Sequence, residues 1–457
     1  MMATVRIGGG LGFWGDDTMA PGRLVRGARI DYLVMDFLAE VTMSVLRKQL
    51  KRDPRTGYAS DIIPILRDCL RDAVERGVTI ICNAGGMNPS GCAQRVLELA
   101  DELGVGERVR IAAVAGDDLM PRIDELRAQG VDLRNTETGE PFSLVADRLA
   151  SANAYIGAEP VVEALRRGAN VVICGRVADP SLTLAALRHS FDWKADQWDL
   201  LAAGIVAGHL IECGAHVTGG NHQAGWEDVS AMDDLGSPIV EVDSRGCIKL
   251  GKTPGSGGVV DVSTTIEQLL YEIGDPRAYL TPDVSADWTT LRVRQLDRDL
   301  VEIDGATGRA APATLKVSAS YEDGYSTSAL WLYSAPGAVA RAERAREVLE
   351  RRIARLNLDI EEVRWDLIGT GAVHERRSPR TGELVEVVLR FAARSHHRAD
   401  LQRAVVELST VFNGPPGKTT LLPGRGRVSG VLSYWPALVP AEFVQPTIEL
   451  FEAGGSR

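Results

Sequence analysis

Acidic, amide and guanidinium side chains stand where short apolar runs end, and that placement is the first chemical signal in the chain. Asp36 follows the run 32–35, and Asn83 follows 78–82. Asp117 and Asp118 follow 109–114 and Gly116, and Arg176 follows 169–174 and Gly175. Asp36 and Glu40 lie four residues apart. If a helix opens at Asp36 they share one face, and paired carboxylates in unequal environments divide into acid and base. The alternative is that Asp36 caps this helix and Glu40 sits in its first turn, favoured by the dipole. Asn83 precedes Gly85 and Gly86, which let backbone approach a ligand, and its amide donates to a carbonyl or carboxylate oxygen. Asn88 borders the same loop and, before Pro89, reads as a helix N-cap. Neighbouring aspartates cannot face the same way, so one of Asp117 and Asp118 points at a ligand and the other caps a helix. Arg176 is either an anion clamp or the partner of a nearby aspartate.

Glycine-rich loops supply a second set of candidates. Gly10-Leu11-Gly12-Phe13-Trp14-Gly15 follows a strand, and Asp36 comes 21 residues after Gly15, a dinucleotide pattern on spacing alone. Asp16 and Asp17 repel a pyrophosphate, and Pro21-Gly22 interrupts the helix this motif needs. A tight ligand-facing turn at Gly10 and Gly12 is the reading carried forward, with NAD as the alternative. Thr218-Gly219-Gly220-Asn221 reads as a backbone loop beside a ligand. Gly255-Ser256-Gly257-Gly258, after Lys249 and Lys252, reads as a nest for phosphate or carboxylate, or as a plain β-turn. His209, Glu212 and Cys213 have a helical spacing that permits a divalent metal. No H-E-x-x-H pattern and no second cluster completes such a site, so no metal is assigned. Gly417-Lys418-Thr419 is not a P-loop, because Phe412 stands where that motif needs glycine. No G-x-S-x-G elbow occurs.

These residues need a scaffold that gathers strand ends. In the first half, β-branched runs alternate with amphipathic stretches at 62–75, 93–103 and 160–167. Strands alternating with helices imply βαβ units. The fold class expected is α/β: an open parallel, doubly wound sheet in the N-terminal half, then a β-rich region and an α+β C-terminal region. Ligands bind at the carboxyl edge of such sheets. Residues 239–242, 258–262, 291–293 and 314–320 read as strands, 342–356 and 399–410 as helices, and 385–393 as a strand. The expected boundaries are 1–227 for the ligand-binding domain, 228–335 for a region that completes it or forms a second domain, and 336–457 for the last domain.

Composition bounds the rest. At 45% apolar and 25% charged, the 457 residues are ordinary globular usage. A net charge of −11 without a basic block argues against nucleic acid. No apolar run approaches 18 residues, which argues against a membrane span. The N-terminus lacks a signal-peptide pattern, so a cytoplasmic location is expected. The six cysteines are too scattered for a disulfide framework and read as reduced thiols.

Several blocks in order resemble the acyclic terpene utilisation (AtuA-like) family: GFWGDD, DYLVMDFLAEVTM, ICNAGGMNP, VAGDDLM, VVICGRVADP, VTGGNH, TPGSGGVV and GPPGKTT–SYWPALVP. The resemblance runs from about Val5 to about Glu449. It implies a part in catabolism of branched acids or acyl-CoA esters of acyclic isoprenoids. Many relatives carry a small ferredoxin-like domain at the C-terminus, which the sequence reads as lacking here, so a separate small subunit of that fold is one expected partner. A homo-oligomer is another, through the apolar tail 428–444.

The reading is an enzyme with lyase or hydratase chemistry on an acyl thioester or carboxylic acid. Asp36, Glu40 or Asp118 moves the proton, Asn83 and loop amides hold an enolate-like oxygen, and Arg176 with the 253–258 loop holds the anionic end. No cofactor is required, acyl-CoA being the substrate form. The alternatives are an NAD-dependent oxidoreductase and a non-catalytic subunit of a thioester-processing complex.

Overall fold

The computed structural model describes residues 3–372, 384–412, 419–422 and 426–454. The chain divides into two compact units: the first holds residues 1–320 and 434–457, the second 321–433.

The first unit begins with the βαβ alternation that the sequence implies. Its early elements are β1 (Thr4–Leu11), α1 (Ala20–Gly27), β2 (Tyr32–Met35), α2 (Thr42–Arg52), α3 (Ile62–Arg76), β3 (Thr79–Cys82), α4 (Pro89–Glu102) and β4 (Arg110–Ala115). Then come α5 (Ile123–Ala128), β5 (Leu149–Ala154), α6 (Glu159–Arg166), β6 (Val171–Cys174), α7 (Asp179–Phe191) and α8 (Trp198–Glu212). Five strands pair in parallel in the order β1-β2-β3-β6-β4. Short strands such as Val171-Val172-Ile173-Cys174 are buried on both faces, as a parallel sheet between two helical layers requires. Leu33, Met35, Ile80, Cys82, Ile111, Ala113, Val171 and Ile173 share one core with Leu24, Leu46, Leu66 and Val96 from α1 to α4. The second layer is α6, α7 and α8, packed in succession. Asn88 does cap α4, accepting the Gly91 N–H at 3.0 Å, and Gly77 ends α3 at φ +70°.

The stretch after residue 228 adds four antiparallel strands to this same sheet and forms a separate three-stranded sheet. Next come β7 (Pro238–Asp243), β8 (Ile248–Lys252), α9 (Val262–Leu270), β9 (Tyr279–Leu280), β10 (Ser285–Asp287), β11 (Arg292–Asp297), β12 (Leu300–Asp304) and β13 (Thr307–Arg309). β7 joins β1 antiparallel, and β8, β12 and β11 follow outward. The expected strand at 258–262 does not form. Gly258, Val259 and Val260 donate instead to Ser230, Thr218 and Asp299, so their amides serve loop ties rather than a ladder.

The second unit follows. Its elements are β14 (Thr314–Ser334, in this unit from residue 321), α10 (Ala338–Ala354), β15 (Glu362–Ile368), β16 (Glu386–Ser395), α11 (Arg398–Leu408) and β17 (Thr419–Leu422). The last two strands are β18 (Ser429–Pro440), whose residues from 434 belong to the first unit, and β19 (Thr447–Glu452). β19 returns to pair antiparallel with β4, so the end of the chain closes the first unit's sheet rather than an α+β domain. In the second unit the sheet order is β15-β16-β14-β17, all antiparallel. Chain order β-α-β-β-α-β with this sheet order is the ferredoxin-like, split βαβ arrangement. A unit of this arrangement therefore lies within the chain, at residues 321–433. Trp331, Trp365 and Phe391 form its core with Ala345 and Leu349 of α10 and Leu401 of α11. The Gly414–Lys418 part of the rejected P-loop lies outside the described residues.

Candidate functional site

Side chains after three parallel strands meet behind a cavity. Asn83, after β3, donates through Nδ2 to Asp36 Oδ1 at 2.6 Å and accepts the Phe37 N–H at 2.7 Å. Asp36 Oδ1 also takes the Leu38 N–H at 2.9 Å. Arg176, after β6, donates through Nη1 to the Leu38 carbonyl at 2.6 Å, and its Nη2 pairs with Asp179. Its guanidinium lies 4.2 Å from the centre of the Tyr155 ring. Asp36 and Asp179 hydrogen-bond one another through their carboxyls. Asp36, Asn83 and Arg176 are buried. Both ends of the Asn83 amide are thus engaged inside the protein. Arg176 holds Asp179, the aspartate-partner alternative for that residue.

Neutrality decides the protonation of this group. Two carboxyls and one guanidinium in contact, of which Asp36 and Arg176 are buried, balance when one proton is retained, and an unbalanced buried charge is expensive. Burial pushes Asp36 up, against the pull of Arg176 and the Asn83 hydrogen bond. Burial pushes Asp179 well above the usual carboxylate range, against Arg176 and with added repulsion from Asp36. One proton is therefore shared by the pair, and of its two members Asp179 is the one that reaches the cavity. It sits in the first turn of α7, where the helix dipole alone favours an ionised carboxylate, so desolvation outweighs the dipole here.

Asp179 opens onto the cavity, with a third of its side chain exposed. The cavity holds about 670 Å³. Glu40 stands on the same wall. The helix considered at Asp36 opens only at Thr42, so Asp36 and Glu40 share no helical face: one turns inward and the other stays half exposed. Burial works against the Glu40 charge, but Lys316, 3.2 Å away, together with a backbone hydrogen bond and Arg176, carries Glu40 below its ordinary value. Tyr155 donates to Glu40 at 3.3 Å. Pro180, Leu280, Pro282, Leu315 and Leu438 give the cavity an apolar side.

A second titratable pair lines the cavity. His209 Nε2 donates to the Gln268 carbonyl at 2.8 Å, and Nδ1 lies 2.7 Å from Glu212 Oε1. Burial opposes the imidazolium, yet Glu212 raises His209, while burial raises Glu212 itself. Among the described residues, no group of three or more His, Cys, Asp or Glu is placed to hold a metal ion.

The other candidates lie elsewhere. Asp117 is buried, accepts from Asn153 Nδ2 at 2.8 Å, and is pushed by burial to about 6 despite that bond and the Arg176 N–H. Asp118 pairs with Arg47 at 3.0 Å and caps a short turn through the Met120 N–H. Gly10 packs under Leu33 and Met35. A Cβ on Gly12 would stand 2.5 Å from the Cys213 carbonyl carbon, and the Gly12 N–H is taken by Asp16 at 2.9 Å. Gly85 is pressed against the Cys174 carbonyl, and Gly86 adopts φ +49° beside Leu46. Asn88 ties the 54–56 loop, donating to the Pro54 and Thr56 carbonyls.

Thr218, Gly219, Gly220 and Asn221 form consecutive turns closed on Ala215 and His216. Ser256 donates through its hydroxyl to Thr253, while the Gly257 and Gly258 amides go to Asp234 and Ser230. Gly255 adopts φ +77°. The loop amides expected to form a nest are thus engaged within the fold.

Asp179, Tyr155 and Lys316 are the site residues that the sequence reading passed over. Asp179-Pro180 looks like a cap followed by a first-turn proline, but Ala178 occupies the cap position and Asp179 makes no capping bond. The available signal was its spacing three residues after Arg176. Lys316 comes from β14, 276 residues away from Glu40, and no local pattern marks it.

A family model described as "Acyclic terpene utilisation family protein AtuA" matches residues 5–450. No curated protein matches the chain. Among solved structures, an amidase of the hydantoinase/carbamoylase family from Burkholderia phymatum is similar at 14% identity over 28% of this chain, with a TM-score of 0.16. The match spans 32% of that amidase chain. No described helix is long and apolar enough to cross a membrane.

Proposed function

This chain belongs to the acyclic terpene utilisation family, and from that premise we propose that the first unit's cavity carries out acid–base chemistry on a branched hydroxy acid or its acyl thioester. The reaction class is hydration, dehydration or carbon–carbon lysis. One observation carries this reading: Asp179 and Glu40 line one cavity, yet their surroundings push their proton affinities in opposite directions. Carboxyls separated in this way divide into acid and base.

In the dehydration direction, Asp179 protonates the leaving hydroxyl as the C–O bond breaks, and Glu40 takes the proton from the carbon next to the carbonyl. Asp36 and Arg176 hold Asp179 in place, and burial with repulsion from Asp36 keeps its proton. Lys316 and the Tyr155 hydroxyl face the substrate's carbonyl or carboxylate oxygen, and the apolar side receives the branched hydrocarbon. No redox cofactor takes part in this scheme, and the coenzyme A thioester is the substrate form to test first.

The experiment is mass spectrometry of branched hydroxy acids and their thioesters incubated with the purified chain. A mass change of one water, or cleavage into two fragments, is expected from the wild type and not from Asp179→Asn. Tight binding of these compounds with no turnover would instead make the chain a binding subunit and end the acid–base reading.

A further inference from the structure

The second unit has a cavity of its own, of about 440 Å³, on the sheet face away from Trp331 and Phe391. Register builds it. Arg390, Ala392 and Arg394 alternate along β16 and so share one face. Ala392 lies opposite Ser328 of β14 on one side and Arg364 of β15 on the other. Arg394 lies between Ser326 and Glu362 in the same way. Neighbours across a sheet stand about 5 Å apart and alternate residues along a strand about 7 Å apart. The small Ala392 methyl is therefore a floor with guanidiniums around it. Arg427 and Ser429, from the segment that enters β18, complete the rim.

The nearby carboxylates aim these arginines. Asp366 accepts from Arg364 at 2.9 Å through one oxygen and from Arg390 at 3.0 Å through the other. Asp323 pairs with Arg394. Four guanidiniums, Arg364, Arg390, Arg394 and Arg427, line this one cavity in a chain of net −11. Arg394 Nε is buried with no acceptor, so the cluster is short of oxygen.

We propose that this cradle is an oxyanion site for the tetrahedral phosphate group, either as free phosphate or as the phosphate of a nucleotide-type ester. Guanidinium forks match phosphate oxygens in pairs, and the Ser326, Ser328 and Ser429 hydroxyls add donors of adjustable direction. The site does not depend on the acid–base reading of the first unit.

Calorimetric titration of the full chain with inorganic phosphate and with adenosine 3′,5′-bisphosphate tests it. Saturable, salt-sensitive binding is expected. Bisphosphate binding about tenfold tighter than phosphate identifies an ester as the ligand, and equal affinity identifies free phosphate. Ala392→Glu places a carboxylate on the floor and is expected to weaken binding by at least about tenfold. Arg427→Ala, at an exposed position, is expected to weaken it up to about tenfold, the loss of one charge-assisted hydrogen bond. Circular dichroism checks that both variants fold, and Arg427→Ala decides alone if Ala392→Glu does not. No binding of either probe by the wild type, or wild-type affinity in the folded variants, overturns the proposal.

Discussion

The Asp36–Asp179 pair keeps one proton because its two carboxyls and the Arg176 guanidinium share one charge balance, and this sets the pH behaviour expected of the cavity. Activity needs Glu40 ionised and the Asp36–Asp179 pair singly protonated, so the profile is bell-shaped. Glu40 is lowered, so the acid limb falls below the ordinary glutamate value of about 4.3. Asp179 is raised, so its protonated form persists above the ordinary carboxylate range and activity is lost as pH rises through the pair's upper value. Asp179→Asn is expected to lower kcat by about 10² to 10⁴ and to abolish the basic limb. An unchanged basic limb in that variant would assign it to another group.

Asp117 gives a separate prediction, on stability. Its value of about 6 exceeds the unfolded value of 3.8, so folding favours the protonated form. That contribution is complete below pH 3.8 and is lost as pH rises through 6. The difference between the folded and unfolded values corresponds to about 3 kcal/mol. Denaturant titrations across this range are expected to show that loss in the wild type and a flatter curve in Asp117→Asn.

At the scale of elements, the site rests on how closely α7 and α8 approach. α8 is buried nearly all round, and Gly208 lets the α7 start sit against it. A Cβ there would stand 2.5 Å from the Pro180 carbonyl and 2.6 Å from its Cα. Gly208→Ala is expected to cost about 1–3 kcal/mol and to reduce turnover, because Pro180 directly follows Asp179. Thermal melting and kcat measure the two effects, and a variant with both intact would show that α7 moves without consequence. The second unit depends on Trp331, fully buried and stacked on Trp365 with ring centres 6.4 Å apart. Trp331→Ala is expected to lose about 3–5 kcal/mol in a urea titration, well beyond Trp331→Phe.

These elements were legible to different degrees. The five parallel strands stand out because β-branched runs between amphipathic stretches have no other stable reading. Residues 258–262 looked equally strand-like, but their amides found carbonyls and a carboxylate in distant loops first.

For the whole molecule, six thiols report how completely the cores close. All six cysteines are unpaired. Burial pushes Cys69 and Cys82 up to about 12 and Cys92 and Cys174 well up. A thiol raised that far keeps about a thousandth of the ordinary thiolate. Burial pushes the Cys213 thiol far up as well, so alkylation of native protein is expected to reach Cys247, the least buried thiol, long before the other five, and all six after denaturation. Rapid modification of Cys92 in the native state would contradict the closed core. Trp435, in the apolar tail read as a contact for a second chain, is buried on its own unit, its Nε1 donating to the Leu133 carbonyl at 2.9 Å. The sequence by itself determined the family, the α/β class and the strand ends where polar residues collect, because hydrophobic period and turn residues are local properties. Only the tertiary structure decided which of those residues meet. Asp179 lies 143 positions along the chain from Asp36, and Glu40 finds Lys316 through β14. Whether a carboxyl keeps its proton depends on burial and on neighbours brought from afar, and neither is written in the spacing around it.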